Sequence, residues 1–222
     1  MNVTQRYRYV YKPLVFVAGL APLVWLVSGA FGWFGANLGA DPVKELEHEC
    51  GKTALNFLLL TLAVTPVRNI LGLPQLLRLR RMLGLFAFFY AVAHFTIYVV
   101  LDLELNWATL GADIAKRPYI TIGFTALLLL IPLAATSTNG MMRRLGKRWT
   151  SLHRLVYVIA ILGVWHFYWQ VKRDVREPLL YAGMLTLLLL YRVVRSRAAA
   201  SARANLTSTS RVGPPLRPSE SD

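Results

Sequence analysis

The sequence predicts an all-α integral membrane protein, a bundle of six transmembrane helices with both termini in the cytoplasm. Three observations support this fold class. Of the 222 residues, 55% are hydrophobic and 16% are charged, whereas a soluble domain has about 25% charged residues. The apolar residues form six runs that approach the roughly 20 residues needed to cross a bilayer. The basic residues are concentrated in alternate connecting segments, as membrane orientation requires.

The six runs divide the chain into one membrane domain and two short ends. We predict a cytoplasmic N-terminal segment at 1–13, the transmembrane domain at 14–195, and a disordered cytoplasmic tail at 196–222. The tail is small, polar and rich in proline, so it buries too little apolar surface to fold. We find no internal repeat and no separate soluble domain. The predicted spans are 14–34, 53–73, 82–101, 119–136, 151–171 and 178–195.

The connecting segments fix the predicted orientation. One alternate set, made of the N-terminus, 66–81, 137–154 and the chain after residue 191, has 18 Lys and Arg against two acidic residues. The other set has seven Lys and Arg against nine acidic residues. The positive-inside rule therefore places both termini in the cytoplasm. The net charge of +14 is thereby explained by membrane orientation and anionic lipid, and not by nucleic acid.

Residue types exclude several kinds of redox and metal site. The chain has one cysteine, Cys50, so it contains no internal disulfide, CxxC pair, thiolate zinc site or CxxCH haem attachment. The acidic residues all lie in predicted loops or the tail, which disfavours a proton-coupled transporter with carboxylates at mid-membrane.

Three of the four histidines lie within predicted spans, where an ionisable residue indicates function. His94 is about 18 Å and His166 about 22 Å from the cytoplasmic edge, at 1.5 Å per residue. Two imidazoles at similar depth on neighbouring helices suit a six-coordinate haem iron. The alternative role for these two histidines is hydrogen bonding between helices. A zinc site is disfavoured because no carboxylate or cysteine is predicted at that depth. His48 is interpreted as a solvated residue of an acidic loop.

The remaining histidine lies near a cluster of arginines. His153 precedes His166 by 13 residues, and Arg81, next to Arg80, precedes His94 by the same number. A second two-histidine site would therefore lack one imidazole. The planar guanidinium of arginine binds phosphate through two parallel N–H groups, so FMN or a quinone headgroup could bind here beside His153. Anchoring to lipid phosphate explains the same arginines equally well.

Several long motifs occur in the order and spacing of one family. The chain resembles the MsrQ (YedZ) family, haem-binding membrane subunits of the periplasmic methionine sulfoxide reductase system, which belongs to the ferric-reductase-like transmembrane group. The resemblance covers about residues 14–195. The motifs are GADPVKELEHECGKTAL, LTLAVTPVRNIL, RLRRMLGLFAFFYAVAHFTIY, KRPYITIG, GKRWTSLHRLVYVIAIL with the later His166, and PLLYAGMLTLLLLYR.

This resemblance implies a ferric-reductase-like core that binds haem b, with His94 and His166 as the axial iron ligands. His153 matches the third histidine of the family and is a further candidate ligand, and Arg80 and Arg81 match an arginine pair associated with FMN. The implied setting is the bacterial inner membrane, with electrons passing from the quinone pool to a periplasmic molybdopterin-containing catalytic subunit, MsrP. The sulfoxide-reducing site would then lie on that partner, so no catalytic residue is predicted in this chain.

The alternative function is that of a stand-alone haem b ferric or quinone reductase. Two differences from such enzymes argue against it. The chain lacks the fourth histidine of the two-haem relatives, and no cytoplasmic dehydrogenase domain for NAD(P)H is recognised in it.

Overall fold

The computed structural model of the chain describes residues 3–33, 38–171 and 174–209, which form helices and turns without any β-strand among them. Two π-helical segments, Tyr7–Tyr11 and Tyr98–Asp102, and a 3₁₀ segment, Pro74–Arg78, adjoin the α-helices. The α-helices are α1 (Val3–Arg6), α2 (Lys12–Ala30), α3 (Pro42–Leu71), α4 (Arg80–Ile97), α5 (Trp107–Lys116), α6 (Pro118–Ala135), α7 (Asn139–Leu145), α8 (Lys147–Leu152), α9 (Leu155–Gln170) and α10 (Arg176–Thr209).

The predicted all-α fold with six membrane-spanning helices is confirmed. Within the described residues, six helical stretches are long and apolar enough to cross a membrane, so the protein is a multi-pass membrane protein. We call the end of the bundle that holds Arg80, His153 and Arg192 the basic end, and the end that holds Asp41, Asp102 and Arg117 the acidic end. The stretches are Tyr7–Ala30, Pro42–Leu71, Pro74–Asp102, Pro118–Ala135, Lys147–Gln170 and Arg176–Ala202.

Helix α3 begins at Pro42, well before the predicted start of the second span at residue 53. The Asp41 carboxylate caps it by accepting a hydrogen bond from the Lys44 N–H at 3.3 Å. Pro42 and Glu45 occupy the first turn, where proline and an acidic residue both favour helix initiation. The prediction of a loop over 35–52 is therefore wrong from residue 42 onward, because hydropathy does not report a polar helical extension.

The end of the sixth span also differs from the prediction. Helix α10 continues to Thr209, so the expected disordered tail is helical over residues 196–209. Alanine and arginine in RAAASARAN favour helix, and extending an existing helix avoids the cost of nucleation. The rest of the predicted disordered tail, residues 210–222, lies outside the described residues.

Four helices form the core of the bundle. Helix α3 packs mainly against α4, and α6 mainly against α9, while α2 lies against α3 and α4, and α10 lies against α9 and α3. The shared apolar core contains Leu55, Phe57, Tyr90, Ile159 and Ala160. The two antiparallel pairs, α3 with α4 and α6 with α9, leave a space between them that becomes the candidate site.

Tyr90 joins the first span to this core. Its hydroxyl donates to the Gly19 carbonyl at 2.8 Å and accepts from the Leu23 N–H at 3.1 Å. Those two backbone groups are hydrogen-bond partners in a regular α-helix, and Pro22 between them disturbs the helix at this point. The fully buried tyrosine thus satisfies backbone groups that lipid cannot satisfy.

The chain turns sharply at the acidic end after α4. A π-helical segment ends with the Leu103 N–H bonded to the Tyr98 carbonyl at 2.9 Å. Glu104 and Leu105 then adopt left-handed φ values of 48° and 61°, which non-glycine residues rarely do. Helix α5 follows, too short to cross a membrane, in a segment that the sequence predicts as a loop. It positions Arg117 at the start of α6.

Candidate functional site

A cavity of about 660 Å³ lies between α3, α4, α6 and α9. Its inner part is lined by apolar side chains such as Leu55, Leu58, Leu130 and Ile159, and its charged lining residues lie at the acidic end. This size is in the ordinary range for a small-molecule or cofactor pocket.

The structure brings His94 of α4 and His166 of α9 together on opposite walls of this cavity. Their ring centres are 6.1 Å apart and their planes are inclined at 73°. A metal–imidazole bond of about 2.0 Å, extended to the ring centre on each side, gives about 6.4 Å for two histidines on opposite sides of one metal ion. The observed spacing is therefore close to that expected if both imidazoles held a single metal ion.

Each histidine is fixed by a backbone carbonyl of a neighbouring helix. His94 Nδ1 lies 2.8 Å from the Glu47 carbonyl oxygen, and His166 Nδ1 lies 2.7 Å from the Tyr119 carbonyl oxygen. A carbonyl only accepts, so each Nδ1 carries the proton and donates. Nε2 of each ring is then unprotonated and able to bind a metal, which is how metal-ligating histidines are usually oriented.

A glycine lets each imidazole approach the neighbouring helix. A Cβ atom on Gly51 would lie 2.9 Å from His94 Nδ1, and one on Gly123 would lie 2.7 Å from His166 Nδ1. Both glycines lie four residues after the carbonyl that accepts the histidine proton. The ring reaches that carbonyl over the helix surface, where any larger residue would place a side chain.

The two halves of the site repeat one another in the sequence. The carbonyl residue, the glycine and the histidine of the second half each follow their counterparts by 72 residues, and G-x-T-A-L occurs at both 51–55 and 123–127. Our sequence interpretation that the chain has no internal repeat is therefore wrong. Self-comparison at an offset of 72 would have revealed the two glycines.

Chemically, the site offers two imidazole nitrogens that could bind a metal and an enclosed apolar space. The described residues contain no group of three or more His, Cys, Asp or Glu able to hold a metal ion by themselves. A flat macrocycle that supplies its own four equatorial ligands, as haem does, matches this donor set.

Comparison with known proteins identifies the family. The family model described as "Ferric reductase like transmembrane component" matches residues 50–164. A relative from Xanthomonas euvesicatoria pv. vesicatoria (strain 85-10), named protein-methionine-sulfoxide reductase heme-binding subunit MsrQ, is 53% identical over 192 residues, 85% of this chain and 88% of the relative. This chain belongs to the MsrQ family.

Further MsrQ relatives agree with this assignment. One from Xanthomonas oryzae pv. oryzae (strain MAFF 311018) is 49% identical over 211 residues, 91% of this chain and 94% of the relative. One from Brucella anthropi is 52% identical over 186 residues, 83% of this chain and 82% of the relative. Both carry the same heme-binding subunit name. No solved structure matches the chain.

The mouth of the cavity in this MsrQ family member contains residues that the sequence assigned to a solvated loop. His48 belongs to α3, is half-buried, and its ring centre lies 5.7 Å from that of Phe167. Glu47 lines the same cavity as His94. The expectations that His48 is solvated and that no carboxylate lies near the depth of the histidines are therefore wrong, because α3 extends toward the acidic end. Outside the span, hydrogen bonds from Lys44 lower the pKa of the Asp41 carboxyl.

His153 lies at the basic end, away from the cavity. It occupies a break between α8 and α9, so the prediction that it shares one continuous helix with His166 is wrong. Its ring stacks on Trp149 at 3.9 Å between centres. Its Nδ1 lies 3.1 Å from the Trp149 carbonyl oxygen, and its buried Nε2 has no hydrogen-bond partner among the described residues.

The predicted arginine pair is separated by the structure. Arg80 is half-buried. Its positive charge lies near His153 and near the positive charge of Arg192 on α10, which it repels. Arg81 is exposed and bonds to Asn139 and to Met142 Sδ. Adjacent helical residues point about 100° apart, so the two arginines face different surroundings. Arg192, which the sequence interpretation did not single out, lies near Arg80.

Proposed function

We propose that this chain binds haem b between His94 and His166 and acts as an electron-transfer subunit in the bacterial inner membrane. In this role it passes electrons from the quinone pool to a periplasmic, molybdopterin-containing methionine sulfoxide reductase subunit of the MsrP type. Support comes from the heme-binding subunit names of its relatives. The observation that carries the proposal is the 6.1 Å spacing of the two imidazoles across one cavity.

The residues of the site orient and enclose the cofactor. Haem, when bound, supplies one-electron redox chemistry. The Glu47 and Tyr119 carbonyls fix the tautomer and direction of the two imidazoles, and such partners raise the basicity of metal-bound histidine. The apolar inner lining keeps water from the pocket, and the hydrophobicity around a metal centre helps to set its redox potential.

The spectrum and electron transfer of the purified protein test this proposal. We expect sharp reduced α and β absorption bands from a low-spin haem with two nitrogen ligands. The near-perpendicular imidazole planes predict the strongly anisotropic type of low-spin ferric electron paramagnetic resonance signal. A reduced quinone should reduce the haem, and the periplasmic subunit with methionine sulfoxide should reoxidise it.

Two results would contradict the proposal. Protein expressed with an adequate haem supply but lacking these bands would contradict haem binding. Reoxidation by a ferric chelate as fast as by the periplasmic subunit would favour the stand-alone reductase.

The charge difference between the two ends supports an orientation with both termini in the cytoplasm. A green fluorescent protein fused after Ser196 is expected to fluoresce, because it folds in the cytoplasm. An alkaline phosphatase fused after Leu105, behind three spans, is expected to be active, because that enzyme needs the periplasm. Exchanging the two reporters provides the control. Fluorescence after Leu105 together with phosphatase activity after Ser196 would reverse the proposed direction of electron flow.

We further propose that the basic end binds the phosphate of FMN through Arg80, Arg192 and His153. The two guanidinium groups come from different helices, and neither forms an ion pair with a carboxylate among the described residues. Arg192 is held by a 2.9 Å hydrogen bond to Thr65 Oγ1 and lies over the Tyr157 ring at 4.8 Å. An anion would neutralise this cluster, and Nε2 of a doubly protonated His153 would donate a hydrogen bond to it.

Single substitutions separate this site from lipid anchoring. Arg80→Gln and Arg192→Gln are each expected to lower FMN affinity at least about tenfold, because each removes a charge-assisted hydrogen bond. Arg81→Gln is the matched control and should leave FMN affinity unchanged, since Arg81 is bound to α7 instead. Flavin fluorescence and haem absorbance are measured on the same samples. Equal FMN content in all three variants would contradict the proposed site.

A further inference from the structure

The cavity has one apolar end and one charged end. Its inner lining consists of leucine, isoleucine, alanine and glycine, and its acidic-end lining contains Lys44, Lys52 and Arg117 together with several carboxylates. Haem has the same asymmetry, since one edge of the porphyrin carries vinyl and methyl groups and the opposite edge carries two propionates. Burying a carboxylate in the apolar part would be costly. If the proposed haem site is correct, the propionates therefore face the acidic end.

The three cations at the mouth differ in how they are held. Lys44 is 73% exposed and paired with Asp41 at 3.0 Å. Lys52 is shared between Glu49 at 2.8 Å and Glu177 at 3.4 Å. Both ammonium groups are therefore already paired with carboxylates at this end of the bundle.

Arg117 is oriented by a buried pair of residues. Its Nε lies 3.1 Å from Asp113 Oδ1, and Asp113 Oδ2 accepts a 2.6 Å hydrogen bond from the Tyr98 hydroxyl. Asp113 and Tyr98 are only 8% and 9% exposed, so the hydrogen-bonded pair that holds Arg117 is part of the core near the cavity. Tyr98 lies one turn after His94, and both line the cavity with Arg117.

The contact with Asp113 uses the Nε–H, and the guanidinium also hydrogen-bonds the side chain of Tyr119, so part of its five N–H donors is left for a further ligand. The four N–H groups on the two Nη atoms form the fork that binds carboxylates in a bidentate manner. Arg117 also immediately precedes α6, whose N-terminal dipole favours an anion. The geometry of Arg117, its donor groups and the helix dipole therefore all favour a carboxylate as the ligand at this position.

We infer that Arg117 binds a propionate group of the haem, with Asp113 and Tyr98 as positioning residues that aim its guanidinium. This inference rests on the proposed haem site and adds the direction of the cofactor within it. The propionate edge would then lie at the acidic end, beside the residues that a partner can reach.

The rate of haem release to excess apomyoglobin tests this role. Arg117→Gln is expected to speed release about five- to tenfold, because a charge-assisted hydrogen bond is lost at a partly exposed position. It should also lower the haem midpoint potential, since a nearby cation favours the reduced haem. Arg117→Lys should restore the potential in part but not the bidentate contact. Lys116→Gln is the matched control, because Lys116 is exposed and does not line the cavity.

A modified haem distinguishes propionate binding from a general effect on the fold. Iron protoporphyrin IX dimethyl ester has no propionate charge, so the wild-type protein should release it faster than haem. Arg117→Gln should release the ester no faster than the wild-type protein does. Asp113→Asn should show a smaller version of the Arg117→Gln effect on haem.

Two outcomes would overturn the inference. One is equal haem release and potential in Arg117→Gln and Lys116→Gln. The other is equal acceleration by Arg117→Gln for haem and for its ester, which would indicate a structural role. Absence of haem from the wild-type protein would instead contradict the proposed function, so the two failures are distinguishable.

Discussion

Replacing His94 or His166 with alanine is expected to remove most of the bound haem. Each substitution would delete one of the two proposed ligands of the same iron, whose ring centres lie 6.1 Å apart across the cavity. The described residues offer no metal-binding cluster that could substitute. The measurement is haem content by reduced-minus-oxidised absorbance per mole of purified protein, with circular dichroism to show that the helices remain.

Two other histidines serve as controls for this prediction. His48→Ala should keep the haem, because the His48 ring contacts Phe167 and no backbone carbonyl among the described residues orients it. His153→Ala should also keep the haem between His94 and His166, since it lies at the basic end beside Trp149. A full low-spin spectrum in His94→Ala or His166→Ala would refute the axial pair. Haem loss in His153→Ala equal to that in His94→Ala would make His153 a primary ligand.

The second large effect is expected from a single methyl group. Gly51→Ala and Gly123→Ala should each reduce haem affinity by about 10- to 100-fold, the usual cost of disturbing a group that orients a metal ligand. The new Cβ would lie within 3.0 Å of the histidine Nδ1 and would push the ring away from its carbonyl. Haem titration into the apoprotein measures the affinity.

Other helical glycines provide matched controls. At Gly84 a Cβ would lie 3.8 Å from its nearest neighbour, and at Gly183 nothing lies within 4 Å. Alanine at these positions should leave haem binding unchanged and slightly favour helix, by about 1 kcal/mol or less per position. Normal haem affinity in both Gly51→Ala and Gly123→Ala would show that the close approach of the imidazoles is not required.

The repeated half-site explains why one substitution should behave like the other. Both histidines donate to a carbonyl 47 residues earlier in the chain, over a glycine of the same neighbouring helix. This arrangement of histidine, carbonyl and glycine cannot be predicted from the sequence around one histidine, because that sequence does not indicate which helix will pack beside it. The repeat itself is readable, since G-x-T-A-L recurs at residues 51–55 and 123–127.

Some errors of the sequence interpretation have local causes. The extension of α3 to Pro42 was signalled by Asp41, Pro42 and Glu45, but hydropathy measures only the part of a helix that lies in lipid. Arg81 is predicted beside Arg80 from adjacency alone, whereas adjacent helical residues point about 100° apart, and Arg81 bonds to Asn139. Arg80 of α4 lies near Arg192 of α10, and no spacing rule connects residues so far apart in the chain.

By itself, the sequence determined the six apolar helices, the charge difference between the two ends and the similar depth of His94 and His166. These properties depend on sums over local runs and on a fixed rise per residue, which neighbouring helices do not change. Only the tertiary structure decided that the two rings face each other, that Gly51 and Gly123 admit them, and that Tyr98 and Asp113 hold Arg117. Each of these depends on the rotation and packing of helices from distant parts of the chain.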